Sequence, residues 1–309
     1  MADHFLDGSE PQPFWDATAP PRLTVASGDT VTFDCPEPCG QVTPEWTSGD
    51  LAHRWDNAKR HALVGPVAVE AATPGSVLQV DVLGLEPGDW GWSAHFPGFG
   101  LLADAFDFPY LHHWSIAEGW CDFGEAGIRI PVRPFCGCMG VAPPADRGRL
   151  DTVPPRDFGG NLDIRDLVPG STLFLPVFVP GALFKLGDCH AAQGHGEVGG
   201  TGVEAPMKVT VRLTARDDRS AAAGIRFRCP PPPDPGPLLA HTAVGPDLRE
   251  CCRDATRAAI DRLAADTALS RSQALLIASV AGDLKVNQAV DLPHYTVSMY
   301  LPESLFAPV

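Results

Sequence analysis

Residues 187–200 read Gly187-Asp188-Cys189-His190-Ala191-Ala192-Gln193-Gly194-His195-Gly196-Glu197-Val198-Gly199-Gly200. Within this stretch Asp188, Cys189, His190, Gln193, His195 and Glu197 supply carboxylates, imidazoles, a thiol and an amide. Oxygen and imidazole donors of this kind suit zinc or a similar divalent ion, which would acidify a water and polarise a carbonyl. A carboxylate left off the ion, Glu197 or Glu204, could act as general base and then pass the proton to a leaving amine. The five glycines let the backbone fold tightly and aim the side chains inward. The stretch therefore reads as a turn-rich loop, mounted between apolar strand-like runs at 173–186 and 203–213.

A second loop of the same character is Gly159-Gly160-Asn161-Leu162-Asp163-Ile164. Asn161 and Asp163 share a face if the segment is extended. Asp163 adds another oxygen donor, and Asn161 and Gln193 could hydrogen-bond a carboxamide. Two other chemistries compete. Cys189 could be a nucleophile activated by His190 or His195 if a tight loop turns them together. A cupin-type metal site needs ligand histidines that alternate along a strand, whereas His190 and His195 are five apart. It ranks below the hydrolase.

The elements that must hold these loops are short strands. The chain has 31 Gly and 32 Pro in 309 residues, which favours many strands joined by turns. Ser27-Gly28-Asp29, Pro74-Gly75-Ser76 and Pro169-Gly170-Ser171 each precede an apolar or alternating run, a repeated turn–strand unit. Residues 45–61 are polar and carry His53, Asp56, Asn57 and His61. Residues 90–103 are aromatic and glycine-rich, which suits core packing first and the wall of a small apolar pocket second. His112 and His113 are adjacent on a strand, so at most one faces a site. Residues 217–246, with Cys229 and the prolines at 230–233, 235 and 237, read as a stiff surface crossing. Helices are expected at 247–267 and at 271–281, the latter opened by a capping box of Ser270 and Gln273. A closing strand is expected at 294–301. The fold class is α+β, predominantly β. A β-rich body (1–216) carries the site loops, and a helical C-terminal part (247–309) packs on it.

The formal net charge of −15 argues against nucleic-acid backbones and anionic membranes as partners. No apolar run approaches a membrane span and no leader pattern opens the chain, so a cytoplasmic protein is expected. The nine cysteines are odd in number and their spacing suggests no disulfide framework. Cys136-Gly137-Cys138 and Cys251-Cys252 lack the spacer of zinc or redox motifs and read as small buried apolar residues.

Several motifs together resemble the acetamidase/formamidase family. They include Gly65-Pro66, Gly98-Phe99-Gly100-Leu101-Leu102 and Met139-Gly140-Val141-Ala142-Pro143 after Pro134-Phe135. Others are Gly159-Gly160-Asn161-Leu162-Asp163, Leu175-Pro176-Val177, Gly181-Ala182-Leu183-Phe184 and the stretch at 187–197. Leu269-Ser270-Arg271 and Asp283-Leu284-Lys285-Val286 extend the likeness, which runs from about residue 22 to the end. The resemblance implies a β-rich fold, hydrolysis of short amides to carboxylate and ammonia, a divalent metal and self-association as a homodimer or higher homo-oligomer. The family usually has Asp where this chain has His195. That exchange points to a changed site charge, and so to a larger or differently charged amide or an inactive relative. Taken together, Asp163, Asp188 and His190 are expected as ligands, for zinc first and calcium second. Glu197 and His195 are expected to carry protons, and Asn161, Gln193 and Glu204 to hold the substrate.

Overall fold

The computed structural model describes residues 1–124, 127–217, 225–228, 238–288 and 295–306. Its first sheet has the order β1 (Asp3–Leu6), β3 (Asp29–Cys35), β15 (Met207–Arg216), β5 (Val77–Pro87), β12 (Thr172–Pro176), β16 (Arg226–Arg228). The three turn–strand units lead into β3, β5 and β12, and all three lie in this sheet. Residues 203–213, expected as one strand-like run, divide at Ala205-Pro206 into a short strand and β15. Pro206 has no N–H for a ladder, which accounts for the break.

The second sheet runs β11 (Gly159–Asn161), β10 (Phe135–Gly140), β13 (Phe184–Ala192), β14 (Val203–Glu204), β6 (Trp90–His95), β7 (Tyr110–Ala117), β8 (Trp120–Asp122), β9 (Arg129–Pro131). β4 (Val64–Val69) also pairs with β13, and β2 (Leu23–Val25) pairs with β4. The two sheets bury one apolar cluster between them. Val31, Phe33, Val80 and Val211 of the first meet Val67, Met139, Phe184 and Leu186 of the second, and Phe33 packs edge-on against Phe184 at 6.0 Å.

A third sheet, β17 (Leu238–Gly245), β19 (Tyr295–Pro302), β18 (Asp283–Gln288), lies with the helices α2 (Leu248–Asp266) and α3 (Arg271–Ala281). α2 is capped by Asp247, and Ser270 and Gln273 form the expected capping box on α3. Both helices join a second apolar cluster that also takes in Leu102, Trp114 and Val203, so they pack on the second sheet. Three expectations change. Residues 217–246 are not simply a crossing, because they contain β16 and β17; Cys229 and the prolines at 230–237 lie outside the described residues. β18, which lies between α3 and the closing strand, was not expected, and His294 lies outside the described residues. A helix, α1 (Ser48–Arg54), occupies the polar segment at 45–61, opened by a capping box of Thr47 and Asp50. Among the described residues, no helix is long and apolar enough to cross a membrane.

Candidate functional site

The stretch at 187–200 is not one loop. Its first six residues are the end of β13, which pairs with β10 on one side and with β4 and β14 on the other. Every residue of β13 is buried, so its polar side chains must find partners within the protein. Four adjacent strands share the floor of the site. Asn161 of β11 lies opposite Cys138 of β10, and His190 of β13 lies opposite Glu204 of β14. Gly137 falls between the pairs Cys136–Cys189 and Cys138–Gly187, across from Asp188.

Loops bring in the remaining groups. The N–H groups of Leu162 and Asp163 both donate to the Gly137 carbonyl, at 2.9 and 3.2 Å, which ties Asp163 over β10. The loop bearing Glu197 is held by α3 at both ends. Gly194 N–H donates to the Ser279 carbonyl at 2.7 Å, and Ser279 Oγ donates to the Thr201 carbonyl at 2.5 Å. A Cβ on Gly194 would lie 1.5 Å from the Gly282 carbonyl oxygen, so only glycine fits there.

The result is a compact cluster. His190 Nε2 lies 3.0 Å from Glu204, 3.8 Å from Glu197 and 3.9 Å from Asp188. Asp163, His190 and Glu197 form one group whose candidate ligand atoms lie within 4.8 Å of one another, and Asp188, His190 and Glu204 form another. A third group joins Asp188 to His61 and Cys138. Cys138 Sγ is 3.6 Å from Asp188, 3.7 Å from His61 and 3.4 Å from Asn161. Burial and the neighbouring Asp188 raise the Asp163 carboxyl to about 6. Burial, with Asp163 beside it, raises Glu197 well above the usual carboxylate range, and burial also raises Glu204. Burial disfavours a charged His190, but Glu204, Asp188 and Glu197 outweigh it and raise the imidazole well above its ordinary value.

These residues fit a divalent ion. Asp163 Oδ1 and His190 Nδ1 are buried without a hydrogen-bond partner, a costly state that a ligand at this point would relieve. A Cβ on Gly137 would lie 2.6 Å from Asp188, 2.7 Å from Asp163 and 2.7 Å from His190, so the missing side chain leaves a hollow among those three. The mixed oxygen, imidazole and thiol donors suit a zinc-like ion.

Asp163, Asp188, Glu197, Glu204 and Asn161 all line a cavity of about 570 Å³. His190 lies beneath it, 1% exposed. Two expected site residues are not brought there. Gln193 is buried and lines a separate cavity of about 280 Å³ with Arg133 and Arg165. His195 turns away because its backbone is captured elsewhere. Its N–H donates to Asp283 at 3.1 Å, its carbonyl accepts from Leu284, and its half-exposed ring stands 4.0 Å from Asp166. Cys189 is also directed away from the cavity, into the apolar cluster between the sheets, 3.6 Å from Cys136. Neither member of the His112–His113 pair lines the cavity: His112 stacks on Phe123 and His113 Nε2 meets the Trp46 carbonyl at 2.7 Å. His4, at the N-terminus, pairs with Asp29 at 3.0 Å. The sequence reading missed His61, Gly137 and Cys138. Cys138 was read as an apolar filler; its pairing with Asn161 across two strands is a register fact with no local signature.

The family model for the Acetamidase/Formamidase family matches residues 8–149 and 145–308. This chain belongs to that family. An acetamidase of Mycolicibacterium smegmatis is 29% identical over 252 residues, 60% of this chain and 60% of that protein. A formamidase of Methylophilus methylotrophus is 27% identical over 245 residues, 60% of this chain and 58% of that protein. The matched part thus spans about 60% of the length of these curated relatives. Among solved structures, an acetamidase from Bacillus halodurans superimposes with a TM-score of 0.69 at 31% identity, covering 98% of each chain. A gamma lactamase from Delftia acidovorans gives a TM-score of 0.91 at 22% identity, covering 99% of this chain and 95% of that one; it shares the fold. Within the acetamidase/formamidase fold, the carboxylate–histidine cluster is built on the four adjacent strands just described and the loops beside them.

Proposed function

We propose that the protein is a metal-dependent amidase that hydrolyses a carboxamide to a carboxylate and ammonia. Family membership supports the reaction class. The observation that carries the reading is the cluster at the cavity floor, where Asp163 Oδ1 and His190 Nδ1 are buried and unpaired and the other ring nitrogen, His190 Nε2, lies 3.0, 3.8 and 3.9 Å from three further carboxylates, Glu204, Glu197 and Asp188. Asp163, Asp188 and His190 would hold a divalent ion, zinc on the strength of its donors and calcium as the harder alternative. When bound, the ion would supply Lewis acidity to the attacking water and to the amide carbonyl.

The residues of the chain divide the remaining work. Glu197 takes a proton from the attacking water as the water oxygen bonds to the carbonyl carbon. It returns that proton to the nitrogen as the C–N bond breaks, so ammonia leaves and the carbonyl carbon keeps the new oxygen. Burial raises this carboxyl, so its ionised form is a stronger base than a free carboxylate, which suits the first step of the exchange. Glu204 fixes the His190 ring at 3.0 Å, which orients the imidazole toward the ligand position. Asn161 lines the same cavity and offers an amide to the substrate.

No disulfide joins the eight described cysteines, seven of which are buried, and this suits a reducing, cytoplasmic compartment. We expect a homodimer or higher homo-oligomer. Ammonia release from a panel of amides, with and without chelator, tests the function. Release that is lost on chelation and restored by zinc is expected. Release that survives full chelation would remove the ion from the reaction, and no release from metal-replete protein would leave a binding protein on this fold.

A further inference from the structure

The cavity is far larger than a short amide requires. A pocket of about 150 Å³ already accepts benzene, whereas this one holds about 570 Å³. Its two ends differ in chemistry. Asp163, Asp188, Glu197 and Glu204 gather about His190, while Trp55, Trp92, Phe96 and Phe99 supply an aromatic lining that runs from buried Trp92 to exposed Phe99. Trp55 packs against Trp92 at 6.2 Å and against Phe96 at 4.7 Å, so three of these rings form a continuous wall. Both indole N–H groups are already used. Trp92 Nε1 donates to Glu37 at 2.9 Å and Trp55 Nε1 to Asn57 at 3.0 Å. What these rings present to a ligand is therefore carbon surface, which rewards an apolar body, although Asn57 and Arg60 also belong to the lining. Phe99 is 44% exposed and backs onto Gly200, where a Cβ would lie 2.7 Å from the ring. A ligand reaching from the floor to this ring would cover it.

Resting on the amidase reading above, we infer that the preferred substrate is a primary carboxamide with a cyclic apolar body, aromatic or alicyclic. Its carboxamide sits among the floor carboxylates and its ring lies against Trp55, Phe96 and Phe99. The reaction balances as before: water supplies the oxygen of the new C–O bond and the third hydrogen of the leaving ammonia, as one O–H bond of the water and the C–N bond break. Acetamide would leave the aromatic wall in contact with water and forgo that burial.

The test compares acetamide, benzamide and cyclohexanecarboxamide on metal-replete protein, with ammonia release as one readout and calorimetric binding of benzamide as the other. The expected result is kcat/KM at least about tenfold higher for both cyclic amides than for acetamide, the scale on which apolar pockets discriminate. Phe99→Ala should raise KM for the cyclic amides more than for acetamide, with kcat and the melting temperature kept. Acetamide hydrolysed as well as the cyclic amides, or no binding of benzamide while acetamide turns over, would overturn the inference and leave the amidase reading standing. Benzamide that binds while no amide is hydrolysed would support recognition of the ring and sink the amidase reading instead.

Discussion

Strands β15 and β13 are both deeply placed, yet they are built on opposite plans. β15 alternates, with Val209, Val211 and Leu213 fully buried and Lys208 exposed. Burial of apolar surface accounts for it without further assumptions. β13 is buried along its whole length although it carries Lys185, Asp188 and His190. Each of those groups must be paired or must answer to something else. Lys185 is paired, since its ammonium donates to Gln12 at 2.5 Å and to the Phe14 carbonyl at 3.0 Å. At the other end of the strand, His190 Nδ1 and the facing Asp163 Oδ1 are not. A satisfied buried charge is part of the scaffold, whereas an unsatisfied cluster marks where a ligand belongs.

That contrast can be broken or sharpened by mutation. The largest effect should come from Glu197→Gln, which is expected to lower ammonia release about 10²–10⁴-fold while thermal melting stays unchanged; unchanged turnover would take Glu197 out of the chemistry. Leu213→Ala, on β15, should cost about 2–5 kcal/mol of stability in urea unfolding and leave KM as it was. A change in KM there would mean that the two strands are not separable. Gly137→Ala places a methyl among Asp163, Asp188 and His190. Metal content and affinity should fall about 10–100-fold, measured on purified protein, with the fold retained. The smallest effect is a slope in pH. Burial lowers the Lys185 amine from 10.5 to about 8. Between those values the unfolded chain binds more protons than the folded one, so this residue's contribution to stability rises as pH increases through that window. The stability of wild type relative to Lys185→Met should therefore improve with pH from about 8 upward. A difference that stays flat would show that the amine is not desolvated.

Much of the scaffold was legible because its causes are local. The three turn–strand units, the capping box of Ser270 and Gln273, and the alternation at Val209, Val211 and Leu213 each depend on residues a few positions apart. α1 was legible in the same sense, since Thr47 and Asp50 form a capping box, but the segment was read only as polar and no element was assigned to it. β13 misled for a physical reason. Glycines and ionisable residues are poor strand formers in isolation, and it is the flanking strands β10, β4 and β14 that make residues 184–192 extended.

The sequence by itself determined the donor set at 159–164 and 187–200, the apolar filling by Cys136, Cys251 and Cys252, and the family likeness carried by the motifs. Only the tertiary structure decided which donors meet. His195 and Glu197 are two residues apart, yet α3 and Asp283 hold the loop so that Glu197 reaches the cluster and His195 leaves it. His61 and Cys138 enter from distant parts of the chain through strand register and loop docking. Spacing along a chain sets which chemistry is available, but the direction of a side chain depends on packing and hydrogen bonds made by residues far away in sequence.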